Sequence, residues 1–277
     1  MQHKFCYRGA SGSGAPFAFR ELLLTVAIAT ASVHSAMAAD CAASHIDERA
    51  QVVYVYDGDT IKLKDGRRVR LIGINTPEIG RNSATPRPFA REARNALQEL
   101  LDAGNRKVLL QYGAERQDHY GRLLAHIFLE NGKNIAVHLL QQGLATTLVV
   151  PPNSWARDCY QGHEYQARST GRGLWRLEQY QTQDARKLSP ETRGFRLVHG
   201  RVSEIRQSRH NVWVDIDGPL VVRIPRKDLV NFEPDYLEHL AGADVETRGW
   251  VKQDRDGLRL TARHPAALTV IPRTPDQ

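Results

Sequence analysis

The chain is 277 residues long with 41% hydrophobic, 25% charged and 7% aromatic residues, a globular composition that excludes collagen-like, coiled-coil and disordered classes. Lys and Arg number 38 against 31 Asp and Glu; the +7 excess suits an anionic partner but falls far short of a histone-like charge density. At roughly 100 to 200 residues per domain, the length predicts one large domain or two smaller ones.

The first 39 residues read as a secretory signal. Lys4, Arg8 and Arg20 precede an uncharged run from Leu22 to Ala39 that ends in Ala36-Met37-Ala38-Ala39, a small-residue cleavage site near Ala38/Ala39. The alternative is a retained membrane anchor, for which 18 uncharged residues containing Thr25, Thr30, Ser32, His34 and Ser35 are a poor match. Cleavage removes three bases and one acid, leaves a mature charge of +5, and predicts a secreted or periplasmic protein with no stable membrane association. Cys6 leaves with the signal. An even pair, Cys41 and Cys159, then remains in an oxidising compartment, which favours a disulfide over two unpaired thiols.

Strands follow in chain order. Val52 to Tyr56, Thr60 to Leu63 and Arg68 to Ile72 are β-branched or alternating, with Asp65-Gly66 as a two-residue hairpin turn. Residues 75 to 88 read as a loop, and Phe89 to Leu101 as a helix with Phe89, Ala93, Ala96, Leu97, Leu100 and Leu101 on one stripe. Strands at 107 to 111 and 123 to 129, and helices at 135 to 142 and 156 to 170, complete the first unit. Residues 177 to 193 are polar without an apolar period and read as a linker. Five short strands then recur at 195 to 205, 212 to 216, 220 to 224, 245 to 251 and 258 to 261, with short helical pieces at 226 to 230 and 234 to 240. The reading is a mainly β (α+β) protein: a signal at 1–39, a five-stranded OB-type barrel with packed helices at 40–176, a linker, and a second small OB-like barrel at 194–277.

If Asp65-Gly66 is a two-residue turn, Ile61 faces Arg70 and Asp59 faces Ile72, which puts a carboxylate diagonally beside a guanidinium. The same register brings Asn75-Thr76-Pro77-Glu78 to the end of the hairpin that carries Asp59. Acids, an amide and an arginine converging there suit a hard cation and a phosphate. Taken singly, Asp57-Gly58-Asp59 is most often a turn, and Thr76-Pro77-Glu78 resembles a helix N-terminus.

Three ordered motifs carry more weight. Asp57-Gly58-Asp59-Thr60, the run Val69-Arg70-Leu71-Ile72-Gly73-Ile74-Asn75-Thr76-Pro77-Glu78, and Asp118-His119-Tyr120-Gly121-Arg122-Leu123-Leu124-Ala125 resemble the staphylococcal nuclease-like (thermonuclease) family, from about Val52 to Trp175. The resemblance implies a five-stranded OB-type barrel and calcium-dependent hydrolysis of DNA and RNA phosphodiesters, leaving 3′-phosphate ends. It assigns Arg70, Arg122 and Glu78 to catalysis, Asp59, Asn75 and Thr76 to Ca2+, and His119 and Tyr120 to substrate. The chain departs from the family pattern in three places: Asn75 stands where aspartate is usual, His119 replaces a phosphate-binding lysine, and Val149, Val150 and Pro151 fall where tyrosines flank a nucleotide. Those departures motivate a second reading, a catalytically weak nucleic-acid-binding or scaffolding protein that keeps the fold. A third reading puts the main activity in the C-terminal region.

The remaining signals are weaker. His163-Glu164 opens a zinc-protease pattern, but Ala167 stands where its second histidine is required. Residues 190 to 277 carry 14 bases and 13 acids, a balance that predicts no strong nucleic-acid binding, and Trp213, Trp250 and Phe232 read as core rather than as a stacking platform.

Overall fold

The computed structural model describes residues 41–80, 85–255 and 257–272; the leader read at 1–39 lies outside them. The first barrel is built from β1 (Glu48–Asp57), β2 (Thr60–Leu63), β3 (Arg68–Leu71), β5 (Lys107–Gln117) and β6 (Leu123–Leu129), closed in the order β1-β2-β3-β6-β5. A short β4 (Gly73–Asn75) leaves the barrel after β3 and pairs with β7 (Thr146–Leu148). Helices α1 (Ala90–Ala103), α2 (Ile135–Gln141) and α3 (Arg157–Ser169) pack around it.

The helices form for local reasons that also tie the unit together. On α1 the buried side is Ala90, Ala93, Leu97, Leu100 and Leu101, the 3.6-residue stripe legible in the sequence. Each fully buried leucine there contributes about 1.5 to 3 kcal/mol of transfer free energy. Asn134 caps α2 by accepting from Ala136 N at 2.9 Å and Val137 N at 3.3 Å. Its amide also donates to the Cys41 carbonyl at 2.9 Å and the Tyr160 hydroxyl at 3.1 Å. One buried side chain therefore joins the start of the described chain, α2 and α3. Cys41 and Cys159 are bonded as a disulfide beside it, with Cα atoms 5.9 Å apart.

The β2–β3 hairpin differs from the sequence expectation. Arg70 opposes Thr60, Ile61 opposes Val69, and Leu63 N donates to Arg67 O, so the register is shifted by one from the reading that paired Ile61 with Arg70. The connection is a three-residue loop, Lys64-Asp65-Gly66. Gly66 N closes a turn on Leu63 O at 3.0 Å, and Gly66 then takes a φ of 93°, the left-handed residue of a bulged hairpin. Ile61, Val69 and Leu71 consequently share the barrel interior, while Arg70 lies on the other face with Thr60.

The second barrel uses β9 (Gly194–Gln207), β10 (Asn211–Ile216), β11 (Leu220–Pro225), β12 (Asp244–Asp254) and β13 (Gly257–Thr261). Pairings β9·β10, β10·β11, β11·β13, β13·β12 and β12·β9 close a ring with the same strand order as the first. In each ring the third and fifth strands are the parallel pair. Alternation fixes the inside: Val212, Val214, Ile216, Leu220, Val222 and Ile224 are buried, and the residues between them face out. Helix α4 (Tyr236–Leu240) precedes the fourth strand.

Four strands were not legible in the sequence: β4, β7, β8 (Thr182–Asp184) and β14 (Leu268–Val270), each of three residues. β8 runs parallel to β9, and Tyr180, Ala185 and Leu188 are buried, so the stretch read as a linker is packed against the second barrel.

The two barrels are joined by charge and by aromatic rings. Glu164 on α3 accepts Arg248 of β12 at 2.5 and 2.7 Å, together with Thr147 N at 2.7 Å and Thr147 Oγ1 at 2.9 Å. Burial pushes the Arg248 guanidinium down, but the Glu164 charge outweighs it and holds the group above its usual value. Arg168 grips Glu246 through two bonds of 3.0 and 2.7 Å. Trp175, Tyr180, Phe195 and Trp250 form a chain of edge and tilted contacts across the same seam.

Candidate active site

The site is built where the chain leaves the first barrel. Gly73 has a φ of 84°, and a Cβ there would lie 2.5 Å from the Tyr160 ring, so only glycine lets the strand break against α3. That break turns Ile74, Asn75 and Thr76 back over the β1–β2 turn. Gly58 in that turn is equally constrained, since a Cβ would meet Ala93 Cβ at 2.7 Å and Thr76 Cγ2 at 2.8 Å.

Asp59 is buried at the centre. Its Oδ2 accepts from Thr76 N at 2.8 Å and Thr76 Oγ1 at 3.0 Å, and its Oδ1 accepts from Thr60 Oγ1 at 3.1 Å. Arg70 forms an ion pair with the same carboxylate and donates to Ile74 O and Asn75 Oδ1, each at 3.2 Å. The acid and guanidinium therefore meet although the expected pairing register does not hold. Asp59 precedes β2, so strand parity does not govern its side chain.

Asn75 is held at both ends, its Oδ1 by Arg70 and its Nδ2 by a 3.1 Å donation to Thr76 O. Asp57, part of the sequence motif but not among the expected site residues, lies close by. Burial first, then the charge of Asp59 and more weakly that of Glu78, pushes its carboxyl up to about 7. Asp59, Asn75 Oδ1 and Thr76 O are hard oxygen donors, a set that fits a divalent cation.

The second arginine comes from the β5–β6 turn. Asp118 accepts from Tyr120 N at 2.9 Å, Arg122 N at 3.0 Å and Arg122 Nε at 2.7 Å. Burial pushes the Asp118 carboxyl up, but these donors outweigh it and hold the group below the usual carboxylate range. Arg122 is thus fixed through Nε, while its Nη1 and Nη2 make no hydrogen bond among the described residues. Tyr120 lies beneath it at 5.5 Å and is two-thirds exposed, with the His119 ring 3.8 Å away.

Arg122 lies where two clefts meet, each of about 480 Å³. One is lined by Arg70, Asp118, His119, Arg122, Leu148 and Val150 among others; the second is lined by Arg68, Glu78, Gly80, Tyr120 and Arg122. Both arginines, Glu78, His119 and Tyr120 are thus gathered at one surface, with Asp59, Asn75 and Thr76 directly behind Arg70. Val149 and Val150 carry no aromatic ring to it. Cys41 and Cys159 lie apart, near His163. Among the described residues this is the one group with metal-ligand proximity, and both sulfurs are consumed by the disulfide. Glu164, the acid of the rejected zinc pattern, is the inter-barrel anchor.

The profile of the family described as staphylococcal nuclease homologue matches residues 68–177. The chain is 36% identical to the thermonuclease of Staphylococcus intermedius over 124 residues, which is 44% of this chain and 72% of that protein. It is 32% identical to the thermonuclease of Staphylococcus hyicus over 133 residues, 47% of this chain and 76% of that one. Endonuclease YncB of Bacillus subtilis is 33% identical over 130 residues, 46% of this chain and 61% of its own length. With a closed five-stranded barrel, the ordered Asp59, Arg70, Glu78 and Arg122 motifs, and over two thirds of two thermonucleases covered above 30% identity, the chain belongs to the staphylococcal nuclease family.

Proposed function

We propose that this nuclease is a calcium-dependent phosphodiesterase that cleaves DNA and RNA, leaves 3′-phosphate ends, and acts outside the cytoplasm after its leader is removed. The observation that carries the reading is the gathering of Arg70, Arg122 and Glu78 at two adjoining clefts in front of an oxygen-donor cluster. In this reading Arg122 grips the scissile phosphate through its unoccupied Nη1/Nη2 edge. Arg70 turns part of its guanidinium from Asp59 towards the equatorial oxygens. Both gain strength as charge grows on those oxygens, which lowers the transition state more than the ground state. Glu78 is exposed to solvent and takes the proton of the attacking water, for which its carboxylate must be ionised. Asp59, Asn75 and Thr76 O would hold the metal, which would supply a positive charge to the phosphate when bound. His119 and Tyr120 would border the substrate.

Export is supported by the leader pattern and by a disulfide, a bond that persists in oxidising compartments. The test is digestion of plasmid and single-stranded DNA with calcium, magnesium or chelator, followed by end-group analysis. Cleavage with calcium that leaves 3′-phosphates is expected. Equal cleavage in chelator, or 5′-phosphate ends, would refute the finer reading.

A further inference from the structure

The two barrels carry matched arginine pairs. In the first, Arg70 on β3 is in parallel register with Leu124, and Arg122 lies two residues before that partner. In the second, Arg223 on β11 is in parallel register with Thr261, and Arg259 lies two residues before it. Because strand order and parallel pairing agree, the two pairs occupy equivalent positions. An aspartate from the preceding hairpin holds the second arginine of each pair, Asp118 on Arg122 and Asp254 on Arg259.

The acids do not match. Where the first barrel turns through Asp57-Gly58-Asp59, the second turns through Ser208-Arg209-His210. Where Thr60 opposes Arg70, Trp213 opposes Arg223, and the Arg259 guanidinium lies 4.7 Å over the Trp213 ring. Trp213 is therefore on the outer face, contrary to the sequence expectation of a core residue, whereas Phe232 is buried in the second core and Trp250 packs at the seam. The second barrel carries the arginine pair beside an aromatic ring and lacks the acids of the first.

This face opens on a groove of about 480 Å³ lined in part by Arg223, Trp250, Lys252 and Arg259. The groove shares Leu148, Val150 and Arg263 with the catalytic cleft, so the two adjoin. Arg263 is neutralised by Asp228 and Arg259 by Asp254. Among the described residues Arg223 and Lys252 have no such partner, and the buried Arg223 Nε has no hydrogen-bond acceptor. A phosphate in the groove would supply the counter-charge that both side chains lack. The near-neutral total charge of residues 190 to 277 hides this local asymmetry.

We infer that the groove of the second barrel is a non-catalytic subsite for the phosphates and bases of a single polynucleotide strand running out of the catalytic cleft. The inference rests on the nuclease reading and supplies, on another barrel, the stacking surface missing at Val149, Val150 and Pro151. The test uses the full chain with Arg223→Gln/Lys252→Gln and Arg223→Glu/Lys252→Glu. Binding of a labelled 20-nucleotide strand in chelator is titrated against salt, and hydrolysis of a dinucleotide, which occupies only the catalytic cleft, is followed with calcium. Tenfold or greater weakening of strand binding is expected, larger for the Glu pair. For two lost single-strand phosphate contacts the salt slope should fall by about 1.4. Dinucleotide turnover should stay within about twofold. Unchanged strand affinity and slope in both variants, failure of the unmodified protein to bind the strand at low salt, or equal losses on dinucleotide and strand would each overturn the subsite. Absence of dinucleotide hydrolysis by the unmodified protein would count against the nuclease reading instead, and the binding titration would still decide the groove.

Discussion

Replacing Arg248 with methionine should unfold the molecule at a markedly lower temperature, and also replacing Glu164 should restore part of the loss. The Glu164 side chain is only 5% exposed and that of Arg248 13%, so this pair is largely withdrawn from water. In Arg248→Met the carboxylate keeps the two Thr147 donors but loses both guanidinium bonds and its counter-charge. Breaking a buried pair from one side costs about 3 to 5 kcal/mol. For a domain of 150 to 250 residues each kcal/mol is worth about 2 to 4 °C, which gives a fall of roughly 6 to 20 °C. In Glu164→Gln/Arg248→Met both charges of the pair are gone. The amide oxygen at position 164 can still accept from Thr147, so the residual cost is one unsatisfied group, about 1 to 3 kcal/mol. The double variant should therefore be more stable than Arg248→Met alone. Differential scanning calorimetry on wild type, both single variants and the double completes the cycle. A double variant that melts below Arg248→Met, or a change of under 2 °C in Arg248→Met, would refute the weld as an energetic unit.

Arg70→Lys and Arg122→Lys should each lower the turnover rate on the order of 10² or more, since one ammonium cannot span the contacts of a planar fork; wild-type turnover would remove that residue from the mechanism. Asn75→Asp adds one charge a few ångströms from the proposed cation, worth about 1 to 2 kcal/mol in an open site, and should tighten calcium binding roughly 5- to 30-fold. A calcium titration with a short DNA analogue checks it, and an unchanged midpoint places Asn75 away from the metal. Burial pushes His126 down to about 3, below its unfolded value, so the folded state binds fewer protons and stability should be lost as pH falls from about 6.5 towards 3. Asp57, raised to about 7, acts with opposite sign over pH 4 to 7, so the readout is the difference between wild type and His126→Gln; identical pH slopes would refute the His126 contribution.

Periodicity made much of the fold legible. The sequence bounds strand 123 to 129 to the residue and marks strands at 212 to 216 and 220 to 224 in the second barrel. Register was not legible in the same way. Asp65-Gly66 fits both a two-residue turn and the end of a three-residue loop, and only the left-handed Gly66 and the Leu63–Arg67 pairing separate them. Three-residue strands such as β7 carry too few positions for alternation, and single buried residues such as Tyr180 and Leu188 leave no period in a polar stretch. At the site, Asp59, Arg70, Asn75, Thr76, Glu78 and Arg122 stand out as candidates because they sit in contiguous motifs. Arg223 and Arg259 do not, because their pairing exists only once the second barrel closes and the parallel strands are in register.

The Cys41–Cys159 bond closes a covalent ring across 118 positions of sequence. Asp59, Arg70, Asn75, Glu78 and Arg122 all lie inside that ring, and the whole second barrel lies outside it. A protease that cuts once anywhere between residues 42 and 158 therefore opens the ring without releasing a fragment. Both halves of the site remain one molecule, held at the high effective concentration that a tether provides. A nicked molecule of this design keeps its two arginines on one covalent unit. Reduction removes that tolerance, since a cut between residues 70 and 122 would then leave Arg70 and Arg122 on separate chains.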